Sequence, residues 1–291
     1  MTDYVSYEIK NCDPDILEDN EYVRFFDAIV LKTGEYGSYK RGYYKGLKFT
    51  IYYITEKTNY RRVTIAGSLH KYWNNGIHNY NDFGMKELVL VLKDIYQKFN
   101  IHPRNCILRS IEIGVNLIVP TLTKTVLENC ILHKTKPFEP NTYRGKGYLI
   151  QNSKSHYLIK IYDKKLDSKE KGYSSNKELM RFEIRYLKMQ FLNNLGIFTM
   201  QDLLNFGLEK FKPILLNHWK SILFFDSEAL NKCKRKYQYN NGKFWTKLKK
   251  ENFKYHRKKL NELTIKNNGN LKNDIYNIMN EKIDKLTKNT L

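Results

Sequence analysis

Tyr162 lies near the end of "YLIKIYDKK" (157–165), where it is followed at once by Asp163, Lys164 and Lys165. A phenolate can attack phosphorus, but with an ordinary pKa of about 10 the phenol needs cations beside it to reach that state. Two further stretches offer carboxylates: "SIEIGVN" carries Glu112 and Asn116, and "LMRFEIRY" carries Glu183. Glu112 and Glu183, helped by Asn116, could hold Mg²⁺ or Mn²⁺, hard ions that prefer oxygen donors. Such an ion would polarise a phosphodiester, while Lys160, Lys164 or Lys165 steadies the developing charge. The Tyr-x-x-Lys spacing decides nothing by itself, because it also begins at Tyr7, Tyr143, Tyr157 and Tyr255.

The elements that must position these groups read as strands, in which residues i, i+2 and i+4 share a face. Ser110, Glu112, Gly114 and Asn116 fall on one face, with Ile111, Ile113 and Val115 on the other. Leu158, Lys160 and Tyr162 share a face, which puts Tyr157 on the apolar side. Arg181, Glu183 and Arg185 likewise oppose Met180, Phe182 and Ile184. Set in one sheet, the polar faces would gather two carboxylates, an amide, two arginines, a lysine and a phenol. The competing reading is an ordinary solvent-facing sheet, in which Glu–Arg pairs across strands contribute about 0.2–1 kcal/mol each.

Elsewhere, "FTIYYI" (49–54) and "RRVTIAGSLHKYW" (61–73) read as strands, preceded by hairpin-like glycines in "YGSYKRGYYKGLK". Leu88, Val89, Leu92, Ile95 and Phe99 recur at helical spacing over 83–101. A short helix is expected in "TKTVLENCILHK", then a Pro- and Gly-punctuated loop over 137–147, and a helical part opening at the N-cap candidate Thr199. The tail after about 265 reads as helical at best. No strict βαβ rhythm runs through this order, so the expected class is α+β, a largely antiparallel central sheet with flanking helices. Its expected division is 1–205 for the sheet-based part and 206–291 for a helical, basic C-terminal part.

The chain of 291 residues carries a net charge of +21, which calls for a polyanionic partner. Lysine enrichment from an A+T-rich genome accounts for part of that charge, but need not leave acidic residues so outnumbered. Residues 231–260 hold twelve Lys or Arg against the single acid Glu251, interleaved with Tyr237, Tyr239, Phe244, Trp245, Phe253 and Tyr255. That mixture suits nucleic acid, with Lys234, Arg235, Lys236, Lys247, Lys249, Lys250, Arg257 and Lys258 on phosphates and rings on bases or in the core. Arg181, Arg185 and Lys160 are further DNA-contact candidates. The four cysteines form no C-x-x-C pair, no signal peptide is visible, and no apolar run is long enough to span a bilayer. A soluble, cytoplasmic protein is expected, with no membrane partner.

"RSIEIGVN", "YLIKIYDKK" and "LMRFEIRY", in this order, resemble the replication initiators of rolling-circle phages and plasmids. The likeness is to the filamentous-phage gene II/X kind, and the later strands are similar to the Rep_trans plasmid initiators. "GSLHKYWNNGIHN" (67–79) followed by a helix adds to it, so the resemblance covers about residues 60 to 205. It implies a metal-dependent nicking and joining enzyme that cuts one strand at an origin. The cut would leave a tyrosine on the 5′ phosphate and a free 3′ hydroxyl for a host polymerase, with a host helicase as a further partner in a bacterial cytoplasm. Tyr162 would be the nucleophile and Glu112 and Glu183 metal ligands. Asn116 stands where related initiators often have a second acid, and the His-hydrophobic-His triplet is absent. His70 and His78 are the nearest substitutes, then His156. The main rival is a non-catalytic origin- or single-strand-binding protein. A tyrosine recombinase lacks its Arg…His-x-x-Arg…Tyr set here, and an RNA-binding protein lacks its RNP strand.

Overall fold

The structure, a computed structural model, describes residues 1–30, 32–54, 61–141, 148–169 and 172–287. In its first half the strands are β1 (Thr2–Ile9), β2 (Phe25–Ile29), β3 (Tyr36–Tyr44), β4 (Leu47–Tyr52), β5 (Arg62–Ser68) and β6 (Cys106–Ile118). They are followed by β7 (Cys130–His133), β8 (Lys136–Pro137), β9 (Glu139–Pro140) and β10 (Leu149–Ser153). The last three are β11 (Tyr157–Asp163), β12 (Leu179–Tyr186) and β13 (Ile222–Phe224). Ten of them form one large antiparallel sheet in the order β2-β3-β4-β5-β1-β6-β12-β11-β10-β9, and β13-β7-β8 form a small one. With its flanking helices the chain is α+β, as the element order implied.

Contacts divide the chain into two compact units. One comprises Met1–Ile113, Arg185–Lys210 and the segment from Leu286, and the other Gly114–Ile184 and Phe211–Lys285. In the first, β3 turns into β4 through Lys45 (φ 44°) and Gly46 (φ 83°), the two positive φ values a two-residue hairpin demands. Phe49, Ile51, Val63, Ile65, Val5 and Tyr7 make the apolar face of this half of the sheet. The amphipathic helix Met85–Phe99 packs there, with the Phe99 ring 5.0 Å from Phe49 and 5.5 Å from Tyr44. The strand expected over 61–73 ends at Ser68, whose hydroxyl accepts from the Lys71 N–H at 2.9 Å and caps helix Leu69–Trp73. Thr199 caps helix Met200–Phe206 in a reciprocal box with Asp202.

In the second unit a separate apolar cluster holds Ile131, Leu132, Leu223, Phe225, Leu230, Tyr239, Trp245 and Leu260. The basic stretch is therefore not all surface: its charges face solvent while Tyr239 and Trp245 anchor it, and Tyr237 and Tyr255 remain exposed. Up to residue 287 the tail is helical and packed. Helix Leu271–Thr287 buries Ile275, Met279 and Ile283 at four-residue spacing. No helix among the described residues is long and apolar enough to cross a membrane.

Candidate metal centre and nucleophile

The polar faces read from the sequence are buried at their centre and partly open at Ser110, Lys160, Tyr162 and Arg185. Glu112, Asn116, Arg181 and Glu183 are only 6, 7, 2 and 1% exposed. Charged groups at such burial cost several kcal/mol each unless paired, and a pair alone seldom repays that cost (roughly break-even or worse). Burial of this kind marks a functional-site candidate rather than a stability device.

Glu183 stands on β12 with each carboxylate oxygen engaged, one by the Lys160 ammonium and the other by the Arg181 guanidinium. Arg181 also donates to the Asn116 side-chain oxygen at 2.9 Å, so Asn116 serves as an acceptor that orients the arginine. Gly114 leaves room for this: a Cβ there would lie 2.5 Å from the Glu183 Cβ. On β6, Glu112 has the Arg185 guanidinium 3.9 Å away, and Arg185 stacks over the Tyr4 ring at 4.2 Å.

β1 contributes a group that the sequence reading missed. Thr2 pairs with Ile113 and Val5 with Ile111, so two residues, Asp3 and Tyr4, stand opposite the single residue Glu112. This bulge shifts Asp3 from the face of Val5 and Tyr7, where strict alternation would put it, to that of Glu112. Ser68 and Asn79 hydrogen-bond to its carboxylate, Asn79 at 2.7 Å. Asp3, Glu112 and Glu183 each offer an oxygen, and these three atoms lie within 4.8 Å of one another. Three buried carboxylates so close repel one another, and a divalent cation bound by oxygen donors would relieve this, so the donor set fits Mg²⁺ or Mn²⁺.

Tyr162 is half-buried on β11, two residues from Lys160 on the same face and hence roughly 7 Å along the strand. The Lys164 ammonium lies 5.7 Å from its ring centroid. Lys164 itself is buried and paired with Asp167 at 2.7 Å. Lys165 turns to Glu178 at 2.9 Å. That hydrogen bond raises the lysine's pKa and lowers the carboxyl's. Asp163 accepts from the Leu166 N–H at 2.9 Å and so caps helix Lys164–Lys169. Its burial pushes the carboxyl pKa up.

His70 is buried in helix Leu69–Trp73, 2.7 Å from the Asn81 side-chain oxygen and stacked on Phe83. His78 stacks on Tyr80 at 4.0 Å, and His156 is half-buried just before β11. Tyr157 packs edge-on against His133 and His218. Tyr143, the loop tyrosine, lies outside the described residues. Lys234, Arg235, Lys247, Lys249, Lys250, Arg257 and Lys258 are exposed and Lys236 partly so. Arg235, Lys234 and Tyr255 share one cavity of about 440 Å³ with Lys232, Lys259 and Lys266.

No family model and no curated protein matches this sequence. Among solved structures the chain is similar to a rolling circle replication initiator protein from Geobacillus stearothermophilus. The identity is 12% and the TM-score 0.42, over 75% of this chain and 84% of that one. A likeness at that level supports no conclusion about activity.

Proposed function

We propose that this protein nicks and rejoins one DNA strand as a rolling-circle replication initiator, with Tyr162 as nucleophile and Asp3, Glu112 and Glu183 as the metal-holding acids. The observation that carries this reading is the buried carboxylate trio, set among Lys160, Arg181 and Arg185. Mg²⁺ or Mn²⁺ held there would polarise the scissile phosphate.

The chain's own groups supply the rest. The Tyr162 oxygen forms a bond to phosphorus as the bond from phosphorus to the 3′ oxygen breaks. The phenol loses its proton and the departing 3′ oxygen gains one, so the step consumes no net proton. Lys164, beside the Tyr162 ring, favours the phenolate electrostatically. Lys160 shares the face of Tyr162 and balances the charge of Glu183. The phosphotyrosine bond keeps the phosphodiester's energy, so attack by a 3′ hydroxyl reverses the step.

The test is incubation with single-stranded DNA carrying candidate origin segments, with Mn²⁺ or with EDTA, resolved on a denaturing protein gel. A metal-dependent, slow-migrating adduct that disappears in Tyr162→Phe is expected. An adduct surviving in that variant would move the nucleophile elsewhere, and tight binding without any adduct would favour a non-catalytic DNA-binding protein.

A further inference from the structure

The half-sheet of β3, β4, β5 and β1 has one face packed on helix Met85–Phe99 and another that carries rings and cations. Register defines the second face. Tyr39 stands opposite Tyr52, and Tyr52 opposite Arg62. Along the next rows, Arg41 faces Thr50, and Tyr43 faces Lys48, which in turn faces Ala66. Ala66 pairs with Ser6, and Ser6 with Ser110.

The rings and guanidinium groups form a ladder. Arg41 lies over Tyr39 at 4.5 Å, Tyr39 and Tyr52 are 5.8 Å apart, and Arg62 lies over Tyr52 at 4.3 Å. Tyr43 is 64% exposed. Of the two acids that β1 brings to this face, Glu8 is neutralised by Lys10 and Arg109 at 2.7 Å each, and Asp3 belongs to the carboxylate trio at its far end.

We propose that this face is a single-stranded DNA platform, on which Tyr39, Tyr43 and Tyr52 stack bases while Arg41, Lys48 and Arg62 take phosphates. Charge decides the occupant. Apolar protein partners do not call for three unpaired-sign cations threaded between rings, whereas a flexible polyanion with flat bases does. A duplex hides its base faces, so the rings would be idle against it. The row from Tyr43 to Ser110 crosses four strand gaps, roughly 19 Å at the usual spacing, and ends where Arg185 donates to the Ser110 hydroxyl at 3.4 Å. A strand lying on the platform is thereby led to the face of Glu112. This extends the nicking reading, but binding by the platform does not depend on it.

The experiment measures anisotropy of a labelled oligothymidine strand with the full chain in EDTA, across a salt series, so that cleavage plays no part. Tyr39→Ala/Tyr52→Ala should weaken binding by on the order of tenfold per lost stack, and Tyr39→Phe/Tyr52→Phe should restore it. Arg41→Ala/Arg62→Ala should flatten the dependence of log affinity on log salt by about 1.4. Thermal melts identify any variant that has lost its fold, and 5-iodouracil cross-linking of the wild type gives a readout needing no substitution. Cross-links in β3 and β4 are expected. Wild-type affinity and slope in both alanine variants, or cross-links confined to residues 231–260, would overturn the platform whatever the adduct assay shows.

Discussion

Gly114 faces Glu183 so closely that no other residue fits between the strands: a Cβ would sit 2.5 Å from the Glu183 Cβ and 2.5 Å from the Phe182 carbonyl oxygen. The second of these neighbours is backbone and cannot swing aside. Gly114→Ala should therefore push β6 or β12 out of place and cost about 1–3 kcal/mol. The fall in urea midpoint measures it. Because Glu183 moves with the strand, Mn²⁺ binding should weaken in the same variant.

Asp3 is the acid whose removal tests the metal site most cleanly, because it lies outside the run of strands that carries the family resemblance. Asp3→Asn keeps the shape and one acceptor oxygen, which serves Asn79, while its amide N–H can donate to the Ser68 hydroxyl. It removes one of three charges, and loss of a ligand should cost at least the tenfold or so seen for groups that merely support ligands. Mn²⁺ titration followed by electron paramagnetic resonance reads this directly. Affinity equal to wild type would remove Asp3 from the site.

On the proposed reading, Lys160 and a metal ion would compete for the Glu183 carboxylate. With Lys160→Met, Glu183 keeps only Arg181 among the two cations that engage its oxygens. Breaking a buried pair costs about 3–5 kcal/mol, with the lower end expected because the lysine side chain is partly exposed. The variant should melt lower in EDTA yet gain more from Mn²⁺ than the wild type does. A melting point unmoved by metal would count against the carboxylates as its ligands.

His133 and His218 give the fold an acid limit that has nothing to do with the candidate site. Their rings stack, with Nδ1 of His218 3.1 Å from Nε2 of His133. Burial, with Lys134 nearby, lowers their pKa values to about 3 and about 4. The unfolded chain binds protons at both near pH 6.5, so between there and about pH 4 it holds more protons than the folded one. Stability is complete above that window and falls as pH drops through it, by at most about 2.7 kcal/mol per pH unit for two protons. His218→Gln should reduce that slope, as read from urea midpoints at stepped pH.

The sequence shows the carriers of the chemistry more readily than their company. Alternation in "SIEIGVN" and "LMRFEIRY" is strict enough to place Glu112 and Glu183 on faces opposite the apolar residues, and the 3.6-residue period does the same for helix Met85–Phe99. Burial of those polar faces is not legible, because period-two patterning tells one face from the other and not whether something covers it. Asp3 escapes for a different reason. Read by alternation it joins Val5 and Tyr7, and only the bulge opposite Glu112 reverses that. The rings of residues 231–260 show the same limit: composition cannot separate Trp245 in the core from Tyr237 in solvent.

Asp163 follows Tyr162 directly, and two roles compete for it: proton acceptor for the phenol, or cap of the helix that carries Lys164. The Leu166 N–H, 2.9 Å from its Oδ1, supports the cap. A cap needs an acceptor oxygen and not a charge, so asparagine serves as well as aspartate. Asp163→Asn should then leave both the melting point and the yield of protein–DNA adduct close to wild type. Asp163→Ala should lose about 0.5–2 kcal/mol as the helix start loosens and lower the adduct yield through displacement of Lys164. A proton acceptor would behave otherwise. In that case Asp163→Asn would cut the adduct yield steeply while leaving stability intact, and the residual adduct formation would lose its acidic limb in a pH series.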